Sequence, residues 1–110
     1  MDFAFYRNFI TVAETGNLSA AAKRLGIVQP ALSAQMKAIE RNYGVQLFKM
    51  QRGKRHIELT EAGETFLQQA RQLCNTEDDI SLRMQAFGRR AAGTLRFSVS
   101  HVRTDYFLRS

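Results

Sequence analysis

Residues 16–40, GNLSAAAKRLGIVQPALSAQMKAIE, contain two helical patterns separated by a short break. The first pattern places apolar residues at i, i+3, i+4 and i+7, which makes one stripe along a helix: Leu18, Ala21, Ala22 and Leu25. Gly26 can end this helix because glycine adopts the left-handed backbone conformation at little cost. Pro30 suits the first turn of the next helix, where an N–H group is not needed. The stretch therefore predicts helices over 18–25 and 29–43 joined by a tight turn, which is a helix-turn-helix.

The second of these helices has two different faces. Its buried stripe is predicted to contain Leu32, Met36, Ile39 and Tyr43. The opposite face carries no acidic residue and consists of Pro30, Ser33, Ala34, Lys37 and Arg41. An α-helix fits the major groove of B-form DNA, and short side chains allow a close approach. This face is therefore suited to the role of a DNA-reading surface.

Sequence on either side completes a small basic head. Asp2 can cap a first helix, and Asn17 can cap the second. After Gly44, the segments Phe48–Met50 and His56–Leu59 are predicted to be two short strands, with a turn over 51–55. The hairpin is rich in cations, which are Lys49, Arg52, Lys54 and Arg55. A basic hairpin after a helix-turn-helix is typical of a wing that lies near the DNA backbone or in the minor groove.

From Thr60 to about Gly88 the pattern returns to helix. Apolar residues recur there at spacings of three and four with one interruption by Glu77, and they are Phe66, Ala70, Leu73, Ile80, Met84 and Phe87. A helix of about 28 residues would be roughly 42 Å long, more than a three-helix head can cover. The helix is therefore expected to pair with a second copy.

The last segments are predicted to be a hinge and the start of another domain. Residues 89–93 form the predicted hinge, and TLRFSVS alternates apolar and polar side chains in the manner of a half-buried strand. A single strand has no sheet to join. Residues 94–110 are therefore expected to open a further domain that lies outside this chain.

Charge is distributed unevenly along the chain and leaves several partners open. Residues 1–60 hold nine Lys and Arg against four Asp and Glu, residues 61–88 hold two against five, and residues 89–110 hold five against one. A basic head can attract nucleic acid, an anionic membrane or an acidic protein. No stretch has the 18 or so apolar residues of a membrane span. The single cysteine, Cys74, and the lack of an apolar signal core predict a cytoplasmic protein without a membrane partner.

An enzyme is disfavoured by the sequence. The two histidines, His56 and His101, lie in no triad or metal-ligand spacing, and no Gly-rich phosphate loop is present. We expect no catalytic residue, metal site or cofactor. An interaction module whose basic head docks on an acidic protein remains an alternative. RNA binding is less favoured, because the aromatic residues are predicted to be buried rather than arrayed for base stacking.

Two longer stretches carry a family resemblance. The chain resembles the N-terminal part of LysR-type transcriptional regulators in the stretches FITVAETGNLSAAAKRLGIVQPALSAQMKAIERNYGVQLF and LTEAGETFLQQAR. The resemblance covers residues 1 to about 88 and implies a mainly α fold. That fold is a winged helix-turn-helix (three helices plus a small β-hairpin wing) followed by a long dimerisation linker helix. It also implies double-stranded DNA as the partner and a homodimer on an inverted-repeat operator. A tetramer in the full-length protein and a small-molecule effector bound by the further domain are implied as well.

Site residues follow from the face and the resemblance together. The predicted DNA-facing set is Asn17, Leu18, Ser19, Val28, Gln29, Pro30, Ser33, Ala34, Lys37, Arg41, Arg52, Lys54 and Arg55. Gln29 can contact adenine through two hydrogen bonds, and Lys37 and Arg41 can contact phosphates. Taken singly, each of these polar residues could be ordinary solvated surface. Their occurrence in order within one compact head favours DNA.

This sequence departs from the family pattern at three positions of the head. Val28 stands where the family commonly has Ser, so a helix cap and a phosphate contact are expected to be lost. Ala34 stands where a large basic residue is common, and Met50 replaces a frequent wing Arg. The predicted organisation is a DNA-binding domain at 1–59, a linker helix at 60–88, a hinge at 89–93 and the start of an effector domain at 94–110.

Overall fold

The structure is a computed structural model that describes residues 2–49 and 56–91. Its elements in chain order are α1 (Phe3–Thr15), α2 (Leu18–Leu25), α3 (Gln29–Tyr43), β1 (Phe48–Lys49), β2 (Glu58–Leu59) and α4 (Glu61–Ala91). The two strands pair antiparallel with Phe48 opposite Leu59. The predicted order of three helices, a hairpin and a long helix is confirmed. The predicted hairpin turn at 51–55, Met50 and the segment 94–110 lie outside the described residues.

Helix boundaries follow from capping residues in the sequence. The Asp2 carboxylate accepts a hydrogen bond from Ala4 N at 2.9 Å, and Asn17 Oδ1 accepts one from Ala20 N at 2.9 Å. Thr60 Oγ1 accepts one from Gly63 N at 2.9 Å at the start of α4. In each case a short polar side chain satisfies an N–H group that the helix itself leaves without a partner.

The core of the head lies where the first three helices and the hairpin meet. Its buried members are Phe9, Val12, Ala21, Ala22, Leu32, Met36, Ile39, Leu47 and Phe48. Leu32, Met36 and Ile39 confirm the predicted apolar stripe of α3. Tyr43, the fourth predicted member, is instead 48% exposed. It lies at the last turn of α3, where its hydroxyl reaches the surface and pairs with that of Tyr6.

The Tyr6–Tyr43 pair joins the surface of α1 to the end of α3. The two hydroxyl oxygens lie 2.7 Å apart, and the Tyr6 ring stacks on Phe66 of α4 with 5.7 Å between centroids. The hydrogen bond to Tyr43, together with burial and the nearby Tyr43 charge, raises the pKa of Tyr6 to about 12. Because a raised pKa favours protonated Tyr6, the hydrogen bond between the two hydroxyls stabilises the fold at neutral pH. That contribution is present below pH 10 and is lost as the pH rises through about 12.

Helix α4 differs from the prediction in where the compact head ends and in where the helix itself ends. The chain divides into two compact units, Met1–Cys74 and Asn75–Ser110, so the division falls inside α4 rather than before it. The first turns of α4 belong to the head, since Phe66 makes an edge-to-face contact with Phe9 at 4.7 Å.

The helix also ends later than predicted, at Ala91. Residues 92–93 of the predicted hinge lie outside the described residues, whereas Arg89 and Arg90, which begin it, are helical. No proline interrupts them, and basic residues in a last helical turn are favoured by the helix dipole.

Within the part of the chain that the structure describes, no helix combines the length and the apolar character needed to cross a bilayer.

Candidate nucleic-acid interface

The turn between α2 and α3 sets how the two helices present their outer faces. Gly26 has φ of +71°, and its N–H donates to the carbonyl oxygens of Ala22 and Lys23. Ile27 N also donates to Ala22 O at 3.0 Å, and the Ile27 side chain packs against the core. These bonds end α2 and turn the chain within two residues. As a result, α3 starts directly beside the first turn of α2.

The first turns of α2 and α3 are joined by a side-chain hydrogen bond. Ser19 Oγ donates to Gln29 Oε1 at 2.6 Å. Both residues are exposed, and Lys23 borders the same shallow surface. Because Ser19 already donates to the Gln29 carbonyl, the Gln29 amide keeps its Nε2 donors and one acceptor lone pair for a ligand. Ser19 thus orients the Gln29 side chain, which is predicted to contact adenine through two hydrogen bonds.

Along α3, the predicted outer face is present as a surface. Pro30, Ala34, Lys37 and Arg41 are exposed, and Ser33 is half-buried. These residues lie on the side of α3 away from Leu32, Met36 and Ile39, which are at most 4% exposed. The face therefore presents small side chains near the N-terminal end of α3 and two cations toward its C-terminal end.

A half-open groove of about 220 Å³ lies between α3 and the hairpin. Its polar lining includes Ser33, Lys37, Glu40, Lys49 and His56. Two of these five side chains, Lys37 and Lys49, are cationic, and one, Glu40, is a carboxylate. The groove thus joins the outer face of α3 to the two strands. Lys49 and His56 were not among the predicted contact residues, although the cation cluster in the hairpin sequence contained Lys49.

Glu40 holds the base of the hairpin against α3. Its Oε2 accepts hydrogen bonds from Leu47 N at 2.8 Å and Phe48 N at 3.3 Å. A carboxylate that accepts two backbone N–H groups replaces the missing ladder partners of a short strand. Glu40 was not among the predicted site residues. Its role depends on residues seven and eight positions later and becomes visible only in the fold.

Several predicted contact residues have structural roles in this chain. Leu18 is half-buried and packs against the hydrophobic core, so part of its side chain is used inside the head. The Asn17 side chain is engaged as the cap of α2. Val28 is the N-cap residue of α3 and makes no side-chain cap hydrogen bond, which agrees with the expected loss of that cap. Arg52, Lys54 and Arg55 lie outside the described residues.

The predicted pairing residues of α4 fall into two groups. Ala70 is 2% exposed, and the half-buried Phe66 packs against the core of the head, so the head covers much of both side chains. That these two residues also face a partner stays a prediction. Four other residues of the predicted set are exposed at 39–57%, and they are Leu73, Ile80, Met84 and Phe87. The Arg90 guanidinium lies 5.0 Å from the centre of the Phe87 ring.

Among residues 2–49 and 56–91, the side chains form no cluster of three or more His, Cys, Asp or Glu that could hold a metal ion.

Comparison with known proteins gives consistent matches. The profile described as "Bacterial regulatory helix-turn-helix protein, lysR family" matches residues 4–64. The chain is 46% identical to the transcriptional regulator ClcR of Pseudomonas putida over 96 residues, which are 87% of this chain and 32% of ClcR. It is 36% identical to BudR of Klebsiella aerogenes over 100 residues, covering 91% of this chain and 68% of BudR. The chain thus spans about a third of the length of ClcR and of TcbR, another relative.

Solved structures with the same fold include protein–DNA complexes. The DNA-binding domain of CbnR in complex with DNA matches with a TM-score of 0.74 and 42% identity, over 80% of this chain and 99% of that one. Full-length CbnR with its target DNA matches with a TM-score of 0.72 and 43% identity, over 78% of this chain and 29% of that one.

Proposed function

Because the chain belongs to the LysR family of bacterial regulatory helix-turn-helix proteins, we propose that it binds double-stranded DNA sequence-specifically and regulates transcription. It would bind an inverted-repeat operator as a homodimer, with α3 in the major groove and the hairpin along the backbone. A small molecule bound by a C-terminal domain outside this chain would switch it. The relatives ClcR and BudR are transcriptional regulators, which is the activity assigned here.

One observation carries this proposal: the outer face of α3 has no acidic residue, whereas Leu32, Met36 and Ile39 on its inner face are buried. Ser33 and Lys37 line the groove that continues to Lys49 and His56. Small residues at the N-terminal end of a recognition helix let its backbone approach base edges, and cations further along can neutralise phosphates. An acidic protein partner would also be attracted to cations. It would gain nothing from a narrow helix face lined by Pro30 and Ala34.

The proposed division of labour follows the chain. Residues 1–59 would form the DNA-binding domain, although the first turns of α4 complete its core. Residues 60–88 would serve as the linker helix, and Leu73, Ile80, Met84 and Phe87 would meet a second copy. Residues 94–110 would open the effector domain. A dimer places two recognition helices about one helical turn of DNA apart, roughly 34 Å, which is why an inverted repeat is expected.

The test is selection of bound duplexes from a random DNA library at about 0.1 M salt, the range in which phosphate contacts make binding strongly salt-dependent. We expect enrichment of inverted half-sites. Ser33→Glu should abolish this binding, because it places a carboxylate on the groove-facing surface of α3. Thr65→Glu is the matched control, since it adds the same charge at an exposed α4 position outside the predicted DNA-facing set.

The outcomes separate DNA reading from its rivals. Loss of binding in Ser33→Glu with a retained helical circular dichroism spectrum would support the proposal. Equal binding by both variants would remove this face of α3 from the interface. The proposal would fail if the selection enriched no DNA sequence and the protein bound acidic polypeptides as well as it bound DNA. The head would then be a basic surface that binds polyanions without specificity.

A further inference from the structure

Val28 is the most exposed large apolar residue of the described chain, at 68%. It is the N-cap residue of α3, with φ −77° and ψ 145°, and its side chain cannot cap the helix. Ser, Thr, Asp and Asn are strongly preferred at such a position, and aliphatic residues are among the least favoured. The chain thus has an apolar group where a polar one would stabilise the helix.

A single exposed valine is unremarkable on most surfaces. Val28 differs because of where it lies. It precedes Gln29 and Pro30, both exposed, at the end of α3 that would enter the groove first. In a helix-turn-helix, residues at the N-terminal end of the recognition helix are the ones that contact base edges.

The chemistry of the major groove limits what an isopropyl group can contact there. Phosphates and most base-edge atoms offer hydrogen bonds, which Val28 cannot make. The apolar feature of the groove is the C5-methyl group of thymine, which distinguishes T·A from the other pairs. Gln29, held by Ser19, would read a polar edge beside it.

We propose that the Val28 side chain packs against the C5-methyl group of a pyrimidine and selects that base at one position in each half-site. In ordinary DNA this base is thymine, and in methylated DNA 5-methylcytosine offers the same group. The inference rests on the proposed function, because it assigns a base preference to one residue of the same interface. Val28 thereby acts as a specificity residue of the reader.

The experiment uses the whole 110-residue chain and a duplex obtained from the selection. Each thymine is replaced in turn by deoxyuridine, which removes only the methyl group, and binding is measured by fluorescence anisotropy. Burial of one methyl group corresponds to roughly fourfold in affinity. We expect about that loss at one thymine per half-site and little change at the others contacted through hydrogen bonds.

Two variants assign the effect to Val28. Val28→Ala keeps one methyl group and should bind with a smaller uracil penalty at that position. Val28→Ser should bind the thymine and uracil duplexes equally well, and it should unfold at higher urea concentration than the unchanged chain because serine restores the cap. A stable variant without methyl discrimination separates recognition from folding. Replacing the same pair by 5-methylcytosine or cytosine, each opposite guanine, shows which pyrimidine is accepted.

The results that would overturn the inference are distinct from failure of the proposed function. A uracil penalty of unchanged size at the same position in Val28→Ser would assign the methyl contact to another residue. Specific binding with no uracil penalty at any thymine would also overturn the inference and leave the DNA-binding function intact. If no duplex were enriched at all, the proposed function would fail and the inference with it.

Discussion

Gly16 is a residue whose replacement should have two separable costs. Its φ of +67° is strained for any residue with a side chain, and an added Cβ would lie 2.5 Å from His56 Cε1. Gly26, with φ of +71°, has open space around it, so Gly26→Ala has only the backbone cost of about 1–2 kcal/mol. We predict that Gly16→Ala lowers the free energy of unfolding by a further 0.5–1.5 kcal/mol or so, because the His56 ring must leave its rotamer.

Urea unfolding of the two alanine variants, alone and in a His56→Ala background, measures this difference. Removing the ring should abolish the excess cost at Gly16 and leave Gly26→Ala unaffected. An excess that survived His56→Ala would mean that the backbone near Gly16, where Ile57 N donates to Gly16 O at 2.7 Å, is the true constraint.

Residue types alone were sufficient to predict what happens locally. Asp2, Asn17 and Thr60 are caps because each is a short polar residue directly before an apolar helical pattern, where its side chain can accept a hydrogen bond from an N–H group of the first turn. The Gly16–His56 contact could not be predicted, since it joins positions forty residues apart on elements whose approach depends on the whole core. The same holds for Ser19 and Gln29, whose hydrogen bond needs the angle between two helices.

At the scale of elements, Gly63 shows why α4 and the hairpin can lie so close. A Cβ at Gly63 would collide with the Leu47 carbonyl oxygen, and it would lie 3.1 Å from Leu59 Cβ. Thr60 N donates to that same Leu47 oxygen at 3.0 Å, so the strand backbone is held in place there. Helix propensity alone would make Gly63→Ala stabilising by about 1 kcal/mol.

We predict that the collision outweighs propensity at Gly63. Overpacking against fixed backbone costs roughly 1–3 kcal/mol or more, so Gly63→Ala should lower the urea midpoint. Gly88→Ala in the same helix is the comparison, and it should leave the midpoint unchanged or raise it. A stabilised Gly63→Ala variant would show that the contact between α4 and the Leu47 backbone yields easily.

Element boundaries were predicted well where caps exist and poorly where they do not. Helices α2 and α3 begin and end at the predicted residues, because Asn17 caps α2 and Gly26 ends it as expected, and Gly44 ends α3 in the same left-handed conformation. The end of α4 was predicted too early, because Gly88 stays helical and does not adopt the left-handed conformation with which Gly16, Gly26 and Gly44 end the first three helices. The boundary between the two compact units, which falls within α4, was not predicted. Periodicity shows that one face of a helix is apolar, but it does not show which residues cover that face. Phe66 and Ala70 repeat like Ile80 and Met84, yet the head covers only the first pair.

At the scale of the whole molecule, the remaining question is what covers the exposed apolar residues of α4. Ile80 is 45% exposed and belongs to the predicted pairing face. Leu82 is 64% exposed but lies about 200° further around the helix, on the other side. A charge buried at a helix–helix contact without a partner is strongly destabilising, whereas a charge on an exposed face has little effect.

We therefore predict that Ile80→Asp shifts the chain toward monomer while Leu82→Asp leaves the dimer unchanged. Sedimentation equilibrium over a range of protein concentrations measures both dissociation constants, and circular dichroism checks that α4 stays helical. If dimer contact occurs through the predicted face, Ile80→Asp should also weaken operator binding, because two linked heads bind two half-sites far more tightly than one. If Leu82→Asp alone weakened the dimer, the pairing surface would lie on the opposite side of α4. The apolar periodicity of the predicted face would then reflect contacts with residues outside this chain.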